Sequence, residues 1–150
     1  MRIAIVSMFY LPTIGGVEKV IEVLAKQYIK QGHKVDVFCC DCDKYKRIKK
    51  KFEIIDGVRV YRSRYWLRLS FNTHIFPGVI WDLITKKYDI IHSHANLAGF
   101  PGKILNKKLG LPITYTVHGC GLEVIKEMYG NNIKSKILYF LENFLQINIK

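Results

Sequence analysis

Three short segments of this 150-residue chain hold side chains able to do chemistry: the pair Gly15-Gly16, the run His92-Ser93-His94, and His118 with Gly119 and Gly121 behind it. A glycine pair just ahead of a helical stretch leaves free backbone amides at a helix N-terminus. There the dipole favours phosphate, and glycine lets a ligand come close. The same pair is equally ordinary turn geometry. The spacing is not G-x-G-x-x-G and no Walker lysine follows, so a nicotinamide or ATP site loses its main support. His118 closes an apolar run, where an imidazole can hydrogen-bond a substrate hydroxyl, steer developing charge, or simply serve the structure. His92 and His94, two apart, share one face of a strand. With His118 nearby they raise the thought of a metal, but no Asp or Glu stands at ligand spacing and none is expected. Neither Ser7, Ser93 nor Cys120 lies in a nucleophile pattern. Cys39, Cys40 and Cys42 cluster, but adjacent Cys39 and Cys40 point to opposite faces of a strand, so buried free thiols are expected rather than zinc.

The elements that must position these residues alternate between apolar runs and helical periodicity, the pattern of a parallel sheet covered by helices. RIAIVSM (2–8) reads as a buried first strand. A helix is expected from about Val17 to Gln31, with Val17, Val20, Ile21, Leu24 and Tyr28 on its buried face and Gly32 as its stop. HKVDVFCC is the second strand, and Asp56-Gly57 between apolar runs predicts a hairpin. A helix is expected around Asn72 to Lys87 with Pro77 near its start, a strand at DIIHSH (89–94) and a helix over Leu97 to Leu109. Another strand is expected at PITYTVHG, and a helix from Lys134 to about Gln146 with Ile137, Leu138, Leu141 and Leu145 on one face. The order predicts an α/β fold, a Rossmann-like, doubly wound, mostly parallel sheet, whose ligands lie beyond the carboxyl ends of the strands.

Composition sets the outer bounds. With 49% hydrophobic and 24% charged residues the chain is globular, of a length for one domain. No apolar run nears the roughly 18 residues that span a bilayer, and the N-terminus reads as a strand rather than a signal peptide, so a cytoplasmic location is expected. The net charge is +12, and residues 44–68 hold ten basic side chains against Glu53 and Asp56. That concentration, with Lys49, Lys50, Lys51, Arg62, Arg64 and Arg68 at its centre, points to an anionic partner or to a solvated lysine-rich loop.

In order, MRIAIVSMFYLPTIGGVEKVIEVLAKQYIKQGHKVDVF, DGVRVYRSR, YDIIHSHANLAGF and GLPITYTVHG resemble the N-terminal domain of the group-one, family-four glycosyltransferases of GT-B fold. The resemblance runs from Met1 to roughly Asn143. It implies retaining transfer of a hexose from a nucleotide-sugar, without a metal or other cofactor, to a lipid-linked or cell-envelope glycan. Position by position, Gly15 and Gly16 match the loop approaching the donor diphosphate or the acceptor, and Glu18 supports that loop. His118 matches a histidine that contacts the donor sugar and is commonly essential. His94 and Asn96 match the acceptor side. The resemblance also implies a second, nucleotide-gripping half with an E-x7-E motif. This chain does not contain it and stops short of the family's last N-terminal strand, so it is expected to be an incomplete acceptor-side half. Alone it should be inactive, its partner half coming from a longer chain or a separate subunit. The basic stretch, interleaved with Tyr61, Tyr65, Trp66, Leu67 and Leu69, is expected to sit peripherally on the inner face of an anionic membrane. The rival readings are a non-catalytic module gripping an anionic partner, single-stranded nucleic acid included, and an inactive remnant that still folds. No nucleic-acid motif accompanies the patch, so nucleic acid is not the expected partner.

Overall fold

The computed structural model describes residues 1–43, 46–63, 86–94, 110–116, 118, 133 and 136–137, together with the backbone of 68–70 and 73–74. Its strands are β1 (Arg2–Val6), β2 (Lys34–Cys40), β3 (Phe52–Ile55), β4 (Val58–Ser63), β5 (Arg68–Ser70), β6 (Thr73–His74), β7 (Ile90–His94) and β8 (Ile113–Thr116); helix α1 runs Gly16–Lys30. Six strands form one sheet in the order β3-β4-β2-β1-β7-β8. All neighbours pair in parallel except the edge strand β3, which is antiparallel to β4. Because β2 lies on one side of β1 and β7 on the other, the direction of winding reverses at β1. An open sheet of this kind leaves a crevice at such a reversal, at the carboxyl ends of β1 and β7.

The local chemistry explains the joints. Helix α1 ends in a Schellman motif: Gly32 at φ +83° donates to the Ile29 carbonyl (2.9 Å) and His33 to the Tyr28 carbonyl (3.0 Å). Asp56 and Gly57 both have positive φ, 49° and 83°, the requirement of a two-residue hairpin turn whose twist suits β3 and β4. The central strands are buried on both faces. Ile3, Ile5, Val35, Val37, Cys39, Val58 and Val60 pack beneath Ile21 and Ala25 of α1. On the opposite face Ala4, Val6, Phe38, Cys40, Tyr88 and Ile91 form a second cluster, joined by Met8 and Phe9 from the loop after β1. Cys39 and Cys40 therefore enter different layers, as the strand period dictates.

Some expectations need correction. Val20 is exposed, and the buried stripe of α1 runs through Glu18, Ile21 and Ala25 instead. The helix expected from about Asn72 is strand at its described start: Thr73–His74 pairs antiparallel with Arg68–Ser70. Thr and the neighbouring aromatic residues suit a pleated surface better than a first helical turn. Lys87, the expected end of that helix, sits at φ +49°. The remainder of that helix and the helix over Leu97 to Leu109 lie outside the described residues. Of the last expected helix, residues 136 and 137 are helical, with Ile137 exposed. Among the described residues no helix is long and apolar enough to cross a membrane.

Beneath the second face lies a polar knot. Asp36, in the middle of β2 and wholly buried, accepts from Arg59 Nε (2.6 Å), Arg2 Nη2 (3.2 Å) and the Tyr88 hydroxyl (2.5 Å). The Arg2 guanidinium also donates to the Lys86 carbonyl and lies 4.7 Å above the Tyr88 ring. One carboxylate thus binds β1, β2, β4 and the approach to β7 together.

Candidate functional site

The loop that leaves β1 is held from below. Met8, Phe9 and Tyr10 are buried, Thr13 Oγ1 donates to Asp43 Oδ1 (2.8 Å), and the Leu11 carbonyl accepts from Arg62 Nη2 (2.5 Å). Fixing the loop's stem this way leaves Ile14 out in solvent, 82% exposed, directly before the glycine pair. Gly15 is the N-cap of α1 in extended conformation. A Cβ built on it would overlap Glu18 Oε2, because the Glu18 carboxylate folds back over the start of its own helix into that space. That negative group sits where the helix dipole favours it. Gly16 has open space where a Cβ would go.

On the adjoining strands three imidazoles form a column. His92 and His94 project to the α1 side of the sheet, ring centroids 4.3 Å apart, and His118 beyond β8 stacks on His94 at 5.1 Å. Both His92 nitrogens are engaged, Nδ1 with the Tyr28 hydroxyl (3.3 Å) and Nε2 with Thr116 Oγ1 (2.8 Å). His94 Nδ1 meets His118 Nε2 at 2.8 Å, while His94 Nε2, fully buried, has no partner among the described residues. Burial depresses all three. It pushes His94 down to about 3, assisted by the charges of its neighbours, and holds His92 and His118 below the ordinary histidine range. At His118 the Glu18 carboxylate works in the opposite direction, raising its affinity for a proton. The crevice therefore offers a buried carboxylate, which accepts hydrogen bonds, beside neutral imidazoles, which donate or accept them.

The structure thus joins His94 to His118 and sets Glu18, folded against Gly15, close enough to act on the charge of His118; Asn96 lies outside the described residues. Nothing in the residue pattern signals the hydrogen bond between His94 and His118, nor the support from Tyr28 and Thr116. The i,i+2 spacing of the histidines on a strand beside the one leading to His118 is the available signal. Among the described residues no three His, Cys, Asp or Glu side chains are grouped to hold a metal ion. Cys39 and Cys40 are buried thiols, with burial pushing Cys39 up to about 12.

The basic patch is smaller than its sequence. Lys49, Lys50 and Lys51 lie on the connection into β3, with Lys50 Nζ 3.1 Å from Glu53 and Lys50 and Lys51 exposed. Arg62 is not part of any surface. Its side chain is fully buried, bonded to Glu53 Oε1 (2.5 Å) and to the Leu11 carbonyl, because β4 turns that position toward the α1 layer. Arg59 belongs to the Asp36 knot, and Tyr61 is stacked on Phe38 at 5.2 Å. Arg64 lies outside the described residues, and of Arg68 only the backbone is described. What the lysines do have beside them is apolar: Phe52 and Ile54 on the edge strand are 46% and 63% exposed.

The sheet order defines an α/β domain of the Rossmann-like class, the N-terminal half of a GT-B fold. The chain belongs to glycosyltransferase family 4, whose family model matches residues 14–147. It is 28% identical over 142 residues to an uncharacterized glycosyltransferase of Methanocaldococcus jannaschii, covering 90% of this chain and 35% of that protein. It is also 28% identical over 124 residues to a subunit of the human phosphatidylinositol N-acetylglucosaminyltransferase, covering 78% of this chain and 25% of that one. Among solved structures it resembles sucrose-phosphate synthase from Thermosynechococcus elongatus, with TM-score 0.57, 20% identity, and coverage of 87% of this chain and 36% of that one. The catalytic domain of starch synthase IV from Arabidopsis thaliana, bound to ADP and acarbose, gives TM-score 0.57 and 20% identity over 81% of this chain and 34% of that one. The chain thus spans about a third or less of the length of these relatives.

Proposed function

We propose that this chain is the acceptor-side half of a retaining hexosyltransferase. It would work with a nucleotide-binding half to move a hexose from a nucleotide-sugar to a lipid-linked or cell-envelope glycan. The observation that carries the reading is the hydrogen-bonded pair His94 and His118, under the electrostatic influence of a Glu18 folded against Gly15, at the point where the sheet reverses its winding. Glu18 refines the role of that loop. A carboxylate folded over Gly15 repels a phosphate and suits a sugar hydroxyl, so Gly15, Gly16 and Glu18 are assigned to the acceptor rather than to the donor diphosphate. His118, at the mouth of the column, donates to an oxygen of the transferred sugar and stabilises charge developing there. No metal takes part in this reading; the donor's diphosphate is gripped by the other half. Asn96 is assigned to the acceptor side with His94. Lys49, Lys50 and Lys51, with Phe52 and Ile54 beside them, suit an anionic lipid surface at the cytoplasmic face, where such acceptors reside.

The test is a transfer assay with labelled nucleotide-sugars and extracted membrane lipids, using this chain together with a nucleotide-binding half. Transfer that falls at least ~100-fold in His118→Ala supports the assignment. Transfer undiminished by that change removes His118 from the chemistry, and no transfer with any donor favours a non-catalytic role.

A further inference from the structure

The hydrogen bond between His94 Nδ1 and His118 Nε2, 2.8 Å long, holds one proton and leaves His94 Nε2 buried without a partner among the described residues. Two arrangements satisfy that bond. If His118 Nε2–H donates, His94 carries its own proton on Nε2, an N–H buried with nothing to receive it. If His94 Nδ1–H donates, the orphan at Nε2 is a lone pair, and His118 carries its proton on Nδ1. Orphaned N–H donors are the rarer defect in protein interiors. His92 offers no relief, since both its nitrogens are already engaged by Tyr28 and Thr116. The second arrangement is therefore favoured.

We infer that His94 is a positioning residue that locks His118 as the neutral tautomer protonated on Nδ1, giving the crevice one N–H donor of fixed identity. The lock also opposes protonation of His118. An imidazolium carries N–H on both nitrogens, so it keeps the bond only if His94 accepts at Nδ1 and moves its proton to the orphan Nε2. Each protonation of His118 thus forces a buried, unpaired N–H on its neighbour. Of the charged and titratable groups around His118, Glu18 on α1 pulls toward the imidazolium, whereas the neutral pair His92 and His94 on β7 does not. The lock rests on the proposed role of His118 only for its use; the tautomer is a property of the chain without substrate.

Long-range proton–nitrogen correlation spectra of the 150-residue chain, labelled with nitrogen-15 at histidine, read the tautomers directly. The expected result is a bare Nε2 and protonated Nδ1 on His118, with the same pattern on His94, above the ordinary histidine pKa of about 6.5. A proton on His118 Nε2 in that range overturns the inference. His94→Asn separates a lock from mere packing, because an amide can turn its oxygen toward an imidazolium and keep the bond. In that variant His118 is expected to take up its proton at higher pH than in the wild type; an unchanged titration overturns the inference even if the variant folds well. Correct tautomers with no sugar transfer refute the glycosyl-transfer reading alone. The wrong tautomer with His118-dependent transfer refutes the lock alone.

Discussion

Replacing Asp36 by alanine tests whether one buried carboxylate holds the sheet that carries the site. Its partners divide into two kinds. The Tyr88 hydroxyl is buried and has Asp36 as its acceptor at 2.5 Å, so removing the carboxylate strands a polar group, at about 1–3 kcal/mol. The guanidinium-bearing side chains of Arg2 and Arg59 are 30% and 32% exposed and can turn partly to water. Their share therefore falls below the roughly 3–5 kcal/mol of breaking a wholly buried pair. Together the loss should be about 3 kcal/mol, a fall in Tm of roughly 6–12 °C for a chain of this size. Asp36→Asn keeps an acceptor oxygen and should lose about half as much, and Tyr88→Phe about 1 kcal/mol.

Urea and thermal unfolding of the three variants measure these values, with an unchanged urea slope confirming that the unfolded state is not what moved. A loss under about 1 kcal/mol for Asp36→Ala would show that the two arginines rehydrate freely and that the knot contributes little. Asp36 faces the layer opposite α1, so the histidine spectra of the variants should match those of the wild type. If the signal of His118 shifts with Asp36→Asn, scaffold and site are coupled and the reasoning fails.

Three further outcomes follow from the site and its surroundings. Gly15→Ala should leave stability within about 1 kcal/mol, since an extended N-cap accepts alanine. It should still drive the Glu18 carboxylate away and lower the pH at which His118 titrates; a proton titration of His118 that does not move puts Glu18 elsewhere. Because burial pushes His94 down to about 3 in the fold while an unfolded histidine protonates near 6.5, its contribution to stability should be full above about pH 6.5. It should fall as the pH drops toward about 3, by up to about 1.4 kcal/mol per unit from this residue alone, and a flat stability profile from about pH 7 to pH 5 contradicts its burial. Lys49→Ala with Lys51→Ala should weaken retention on anionic liposomes roughly 30-fold at low salt, whereas Arg62→Met should unfold more readily yet bind lipid as before; the reverse pattern would return Arg62 to the surface.

What can be read from the residues divides along a physical line. Period and punctuation are local, so the strands of the large sheet, the helix stop at Gly32 and the Asp56-Gly57 hairpin are legible, and with them the layer order. The fate of a charged side chain is not local. Arg62 and Lys50 belong to the same basic run, yet one is sealed against Glu53 and Leu11 and the other is in water, because alternate residues of β4 face different layers while the connection before β3 faces none. Asp36 reads as one polar break in HKVDVFCC, and only the pairing of β2 with β1 and β4 brings Arg2 and Arg59 to it. Glu18 reads as an ordinary first-turn acid; that its buried carboxylate fills the space a Cβ at Gly15 would take is a relation between two residues that no single-residue propensity contains. The histidines show the same limit from the other side. Their spacing puts His92 and His94 on one face, but the parallel register of β7 with β8 decides that His92 meets Thr116 and His94 meets His118. Side-chain types in a sequence thus announce which chemistry is available, and strand register, a property of the whole sheet, decides which of those groups become partners.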